Sequence, residues 1–252
     1  MITIGTVLIA LLLFTAGGIV KGLLGVGLPM VAIPGLTLIV GLPNALAMVS
    51  VPVALANLWQ VWQFRQAPGP GGVLVPYLIS GAIGTIIGTL ILVSLPEAWL
   101  ELGLATMLIG YVVLRLSNPG LKLMQGAARK SAAPVGFGAG VLHGSTGIAG
   151  PIGITYFHAQ GLSRDRFILS VGLMFLTFAA VQIPMLGLAG ILRADTVLTG
   201  VIGLPAVAAG LWIGNMLGRR IEPKVFDWLV LIVLTWTAAG LAWRSVSEFA
   251  GV

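Results

Sequence analysis

Two ionisable residues occupy matched places in otherwise apolar surroundings. Lys21 stands in GIVKG (18–22) and His143 in GVLHG (140–144), 122 positions apart. The residues around them match at the same offset: Gly18, Gly22, Gly25 and Pro29 pair with Gly140, Gly144, Gly147 and Pro151. A lysine supplies a permanent cation, and a histidine supplies a donor that titrates near neutral pH. Glycines let backbone N–H groups approach a ligand, and a helix that restarts after a break presents unpaired donors and a partial positive charge. Together these groups suit a small anion. The competing readings are that Lys21 snorkels to an interface and that His143 is a packing residue.

The elements that carry this pair must be membrane-embedded. Of 252 residues 58% are hydrophobic and only 8% charged, with a mean hydropathy of +1.09. Soluble chains carry about 25% charged residues, so this one lacks a water-facing surface. Apolar runs long enough to cross about 30 Å of hydrocarbon recur along its length. The net charge of +6 is read as loop orientation, not as nucleic-acid binding. With no cysteine, disulfides, thiolate metal sites and thiol chemistry are excluded. The opening MITIGTVLIALLLFTAGG has no basic n-region or small-residue cleavage pattern, so it is expected to be retained.

The offset matches continue beyond the two motifs. Leu42, Ser50 and Val51 pair with Leu162, Ser170 and Val171, and Gly84 and Gly88 pair with Gly210 and Gly214. The chain therefore reads as two homologous halves, 1–116 and 135–252, joined by a basic cytoplasmic linker at 117–134. Each half is expected to hold a glycine-broken element (about 18–40 and 135–159) and three transmembrane helices. Those helices are expected at 43–63, 73–95 and 98–115, then at 167–189, 196–218 and 225–243. Trp59, Trp62, Trp99, Trp228 and Trp243 fall near predicted ends, as interfacial tryptophans do. GTIIG (84–88) and GLWIG (210–214) read as close-packing faces.

Loop charges choose between topologies. If every element crosses, Lys and Arg from Arg115 onward divide 6 inside to 5 outside; if the broken elements are re-entrant, they divide 9 to 2. The positive-inside rule favours the second count. Three true spans per half then make the halves inverted repeats, a plan that places a binding site at interrupted helices near the midplane. The fold class expected is thus an all-α, multi-pass protein of the cell's inner (plasma) membrane.

The candidate binding set is Lys21, Gly22, Gly25, Gly27, His143, Gly144 and Gly147, with Ser50 and Ser170 added from matched positions of equivalent helices. Glu101 and Asp227 sit about a turn into third helices and read as interfacial or structural. Asn57, Gln60, Thr177, Gln182 and Asn215 read as interhelix hydrogen-bonders. An enzyme is disfavoured: His143 and Ser145 are too close in sequence to share a helix face, and no carboxylate lies nearby to orient the imidazole.

The twin motifs GIVKGLLGVGLP and GVLHGSTGIAGP resemble those of the TauE/SafE family of sulfite exporter-like permeases, and the likeness covers nearly the whole chain. NALAMVSVPVALANLWQVWQFR is similar to the family's serine-containing helix, and GAIGTIIGTLI to its glycine-rich third element. The resemblance implies a transporter of small oxyanions such as sulfite or organosulfonates. The chain departs from the family's triple glycine with GVGLP and GIAGP, and it has Lys21 or His143 where a small residue is expected. An anion channel or facilitator, or a carrier of another small anion such as a carboxylate, is the alternative. The expected partners are a small anion and the lipid bilayer, with a homodimer allowed and no nucleic acid; no cofactor or metal is expected.

Overall fold

The computed structural model describes residues 3–69, 71–117, 123–217, 231–232, 235–236, 238–243 and 245–247. The regular structure of the described residues is all helical, with one 3-10 turn at Gly71–Val73 and no strand among them. In chain order the helices are α1 (Ile4–Leu24), α2 (Leu28–Val40), α3 (Leu42–Gln63), α4 (Leu74–Ser94), α5 (Glu97–Ser117), α6 (Gln125–Thr146), α7 (Gly150–Ala159), α8 (Arg164–Leu188), α9 (Ala194–Ile202) and α10 (Leu204–Leu217). Among them, 6 stretches are long and apolar enough to cross a membrane: α1, α3, α4 with its preceding turn, α5 to Leu114, α8, and α9 with α10. At about 1.5 Å per residue, α2 and α7, of 13 and 10 residues, are too short to do so.

The chain folds into two compact units, with α3 changing unit at Pro52. Unit 1 holds α1, α2, the start of α3, α5, α9 and α10. There α1 and α2 form an antiparallel hairpin: Gly17 lies against Leu28, while Gly35, further along α2, lies against Leu13, further back on α1. α10 packs parallel to α1. A Cβ on Gly18 would come 2.7 Å from the Val207 carbonyl, and one on Gly22 would come 3.0 Å from the Gly214 Cα. Glu97 accepts a hydrogen bond from the Leu42 N–H at 2.9 Å, tying the first turn of α5 to the start of α3.

Unit 2 holds the rest of α3, with α4, α6, α7 and α8. Its helix pair is α6 with α4, again parallel: Gly140 meets Gly81, and Gly144 meets Thr85, Gly88 and Thr89. α7 folds back along α6, so the Leu123 N–H reaches the Ala159 carbonyl at 2.7 Å and the Tyr156 hydroxyl reaches the Ala128 carbonyl at 2.6 Å. α8 runs parallel to α4, with Tyr77 on Met174 and Gly81 on Phe178. It runs antiparallel to α3, with Arg166 bonded to the Gly69 carbonyl and Gly172 3.1 Å from Val61. Stacked and edge-on contacts of Tyr77, Tyr156, Phe157 and Phe178 form the aromatic core of this unit.

Three boundaries differ from expectation. The first broken element begins at Ile4, because the N-terminal apolar run and the lysine motif form one uninterrupted helix. α6 begins at Gln125, inside the stretch read as linker, since its Ala-rich opening favours helix despite its polarity. The span expected at 196–218 is divided at Gly203, where Pro205 has no N–H to offer the Val201 carbonyl. Residues 118–122, Arg219–Lys224, Asp227 and Trp228 lie outside the described residues, as does much of the helix expected at 225–243.

Candidate functional site

The glycines of the matched motifs divide into two roles. Gly18 and Gly22, and equally Gly140 and Gly144, sit inside unbroken helix and pack against the backbone of α10 or α4. Their counterparts across those contacts are the glycines of GLWIG and GTIIG, so these stretches are close-packing faces. The helix opens instead at the third glycine. Gly25 has φ 78° and Gly147 φ 73°, left-handed values that disfavour any residue with a Cβ. Each donates its N–H at 2.7 Å to the carbonyl of the ionisable residue one turn earlier, Lys21 or His143.

Both breaks are followed at once by a buried helix start. α2 begins after Gly27 (φ 122°) and α7 after Ala149, and neither has a side-chain N-cap. The first helical bonds run from the Val31 N–H to the Gly27 carbonyl and from the Gly153 N–H to the Ala149 carbonyl. The N–H groups of Leu28, Met30, Gly150 and Ile152 precede them and have no intrahelical acceptor. Pro29 and Pro151 occupy the second helical position, where a missing N–H costs nothing. Val26, Leu28, Met30, Ile148 and Ala149 are all buried. Such a start offers oriented donors and a partial positive charge away from solvent.

In unit 1 Lys21 is 4% exposed, so its side chain is enclosed rather than laid along the surface. In unit 2 His143 is 3% exposed, 5.8 Å from the Phe175 ring and 5.4 Å from the Phe178 ring between centroids. Neither of its ring nitrogens has a hydrogen-bond partner among the described residues. The break in this unit is held by Gln182, whose amide donates at 3.1 Å to the carbonyls of both His143 and Gly144. In a continuing helix the Ile148 N–H would serve Gly144; here it turns to the Thr146 hydroxyl at 3.3 Å. A side chain from α8 thus replaces the backbone donor that the break removes.

The remaining expected residues are placed as follows. Ser50, on the part of α3 in unit 1, donates to the Ala47 carbonyl at 3.0 Å, and Ser170 on α8 donates to the Arg166 carbonyl at 2.6 Å. Both hydroxyls are satisfied as donors and keep lone pairs as acceptors. Glu101 is fully buried on α5. Asn57 donates to the Val53 carbonyl of its own helix, and Gln182 bridges helices as expected. Sequence reasoning missed Glu97 and the phenylalanines around His143, because single-sequence spacing does not reveal which turn faces a neighbouring helix.

The sequence matches the family described as sulfite exporter TauE/SafE over residues 9–241. Searches of curated proteins and of solved structures return no match. A match across nearly the whole chain, with 6 stretches fit to span a membrane, makes this a multi-pass membrane transporter and not an enzyme. The chain belongs to the TauE/SafE sulfite exporter family.

Proposed function

We propose that the protein carries small sulfur-containing oxyanions, such as sulfite or organosulfonates, across the plasma membrane, holding the anion at the two broken hairpins. The observation that carries this reading is the paired break. Two left-handed glycines at equivalent positions are each followed by an uncapped, buried helix start. Gly25, Gly27 and Gly147 open the chain, and the N–H groups after them bind. Lys21 and His143 add a cation and a second donor, and Ser50 and Ser170 contribute acceptor or reoriented hydroxyl contacts. Gly22 and Gly144 enter by bringing α10 and α4 tightly against the helices that carry the site.

Each hairpin enters and leaves the bilayer on one side, and the halves are inverted repeats. Support comes from the antiparallel run of α3 and α8, which are repeat-equivalent, and from the return of α2 along α1 and of α7 along α6. The 9-to-2 division of basic residues agrees. A calorimetric binding screen of the purified protein against sulfite, sulfate, thiosulfate, sulfoacetate, taurine and small carboxylates tests the substrate class. Saturable binding of sulfite or a sulfonate is expected; binding of carboxylates alone would overturn it.

A further inference from the structure

We propose that His143 takes up a proton as an anion binds at the break in unit 2, so that this hairpin loads an ion pair and not a bare charge. The proposal rests on the anion site described above and adds the ion that travels with it. His143 is enclosed, with both ring nitrogens unpartnered among the described residues, at a position where packing alone would be served by a residue without polar atoms. Phe175 and Phe178 hold the ring in place without satisfying it. It stands in the last turn of α6, whose carbonyl end favours a cation, just before the start of α7, whose amide end favours an anion.

Among the described residues of the unit, no protein group supplies a counter-ion. α4 has no charged residue, and its Tyr77 donates to Met174. On α7, Tyr156 donates to the Ala128 carbonyl and His158 lies edge-on to Phe167. The charged residues of α8, Arg164, Asp165 and Arg166, all fall in its first turn, far along the helix from Phe175, Phe178 and Gln182. Those of α6, Arg129 and Lys130, lie in its opening turns, and the turn at Gly71–Val73 has none. An imidazolium alone and an anion alone are each costly in such surroundings, whereas the pair offsets both costs. On binding, an N–H bond forms at the ring nitrogen that lacked a proton, and the matching bond breaks in a buffer acid of the surrounding solution, whose conjugate base stays in solution. The N–H bond breaks again when the anion leaves.

The chain has 2 histidines, which makes the step directly visible. The full-length protein, labelled with nitrogen-15 at histidine and held in lipid bilayers, is compared by NMR with and without saturating sulfite at neutral pH. A His158→Asn variant assigns the two rings. Sulfite should convert His143 from one protonated and one bare nitrogen to two protonated nitrogens. It should leave His158 unchanged. In calorimetry, His143→Gln should weaken sulfite binding about tenfold or more and abolish the buffer-dependent heat of proton uptake. A neutral His143 ring in protein shown by calorimetry to hold sulfite would overturn the proton step and leave the anion site standing. Absence of sulfite binding in the wild type would remove both.

Discussion

At the scale of single residues, the chain hides a lysine inside the fold one turn before a helix break. Lys21 is 4% exposed, and the carbonyl of its own peptide caps the break through Gly25. If its ammonium serves the anion, Lys21→Ala should weaken sulfite binding by about 1.5–3 kcal/mol, the scale of a hydrogen bond to a charged group. Equilibrium binding in detergent checks this, and an unchanged affinity would make the lysine structural. The pairing of Lys21 with His143 was legible because an offset of 122 recurs over several residues. What the offset could not reveal is which glycine of the stripe does what. Gly22 and Gly25 look alike in sequence, yet one faces α10 and the other turns left-handed.

Two kinds of contact let a helix stop within apolar surroundings. The first is the capping of an orphaned carbonyl, which Gln182 performs for Gly144 while adding a second bond to the His143 carbonyl that Gly147 already serves. Gln182→Leu should leave the Gly144 carbonyl unsatisfied and lower stability by about 1–3 kcal/mol, read as a fall in melting temperature in detergent. The second is glycine-on-glycine packing. Gly210→Val would drive its side chain into the Thr15 carbonyl and Gly18, at a cost of about 1–3 kcal/mol from overpacking. The same melting measurement checks it. Most helices were legible from length and hydropathy, since α3, α4, α5 and α8 begin and end within a few residues of expectation. The start of α6 was not, because Gln125–Pro134 is polar enough to resemble a linker; its alanines favour helix all the same, and α7 folds back on it through the Tyr156 hydroxyl and the Ala128 carbonyl.

Across the whole molecule, inverted halves require an odd number of crossings in each. Single cysteines can be introduced without background because the chain has none. A cysteine at Arg164 should label only from the cytoplasmic side, and labelling from the opposite side would contradict the inverted arrangement. The all-helical, multi-pass character was readable from composition and the length of the apolar runs, whereas the division into two units was not. Each unit takes a hairpin from one half and its glycine-rich packing helix from the other, a swap that linear sequence does not express. The central claim is that the breaks at Gly25 and Gly147 form the path of the anion, and sulfite flux into proteoliposomes tests it most directly. Wild-type protein should give saturable uptake, while Gly25→Leu and Gly147→Leu, inserted and folded, should each reduce it to the level of empty liposomes. Wild-type flux in both variants would contradict the claim.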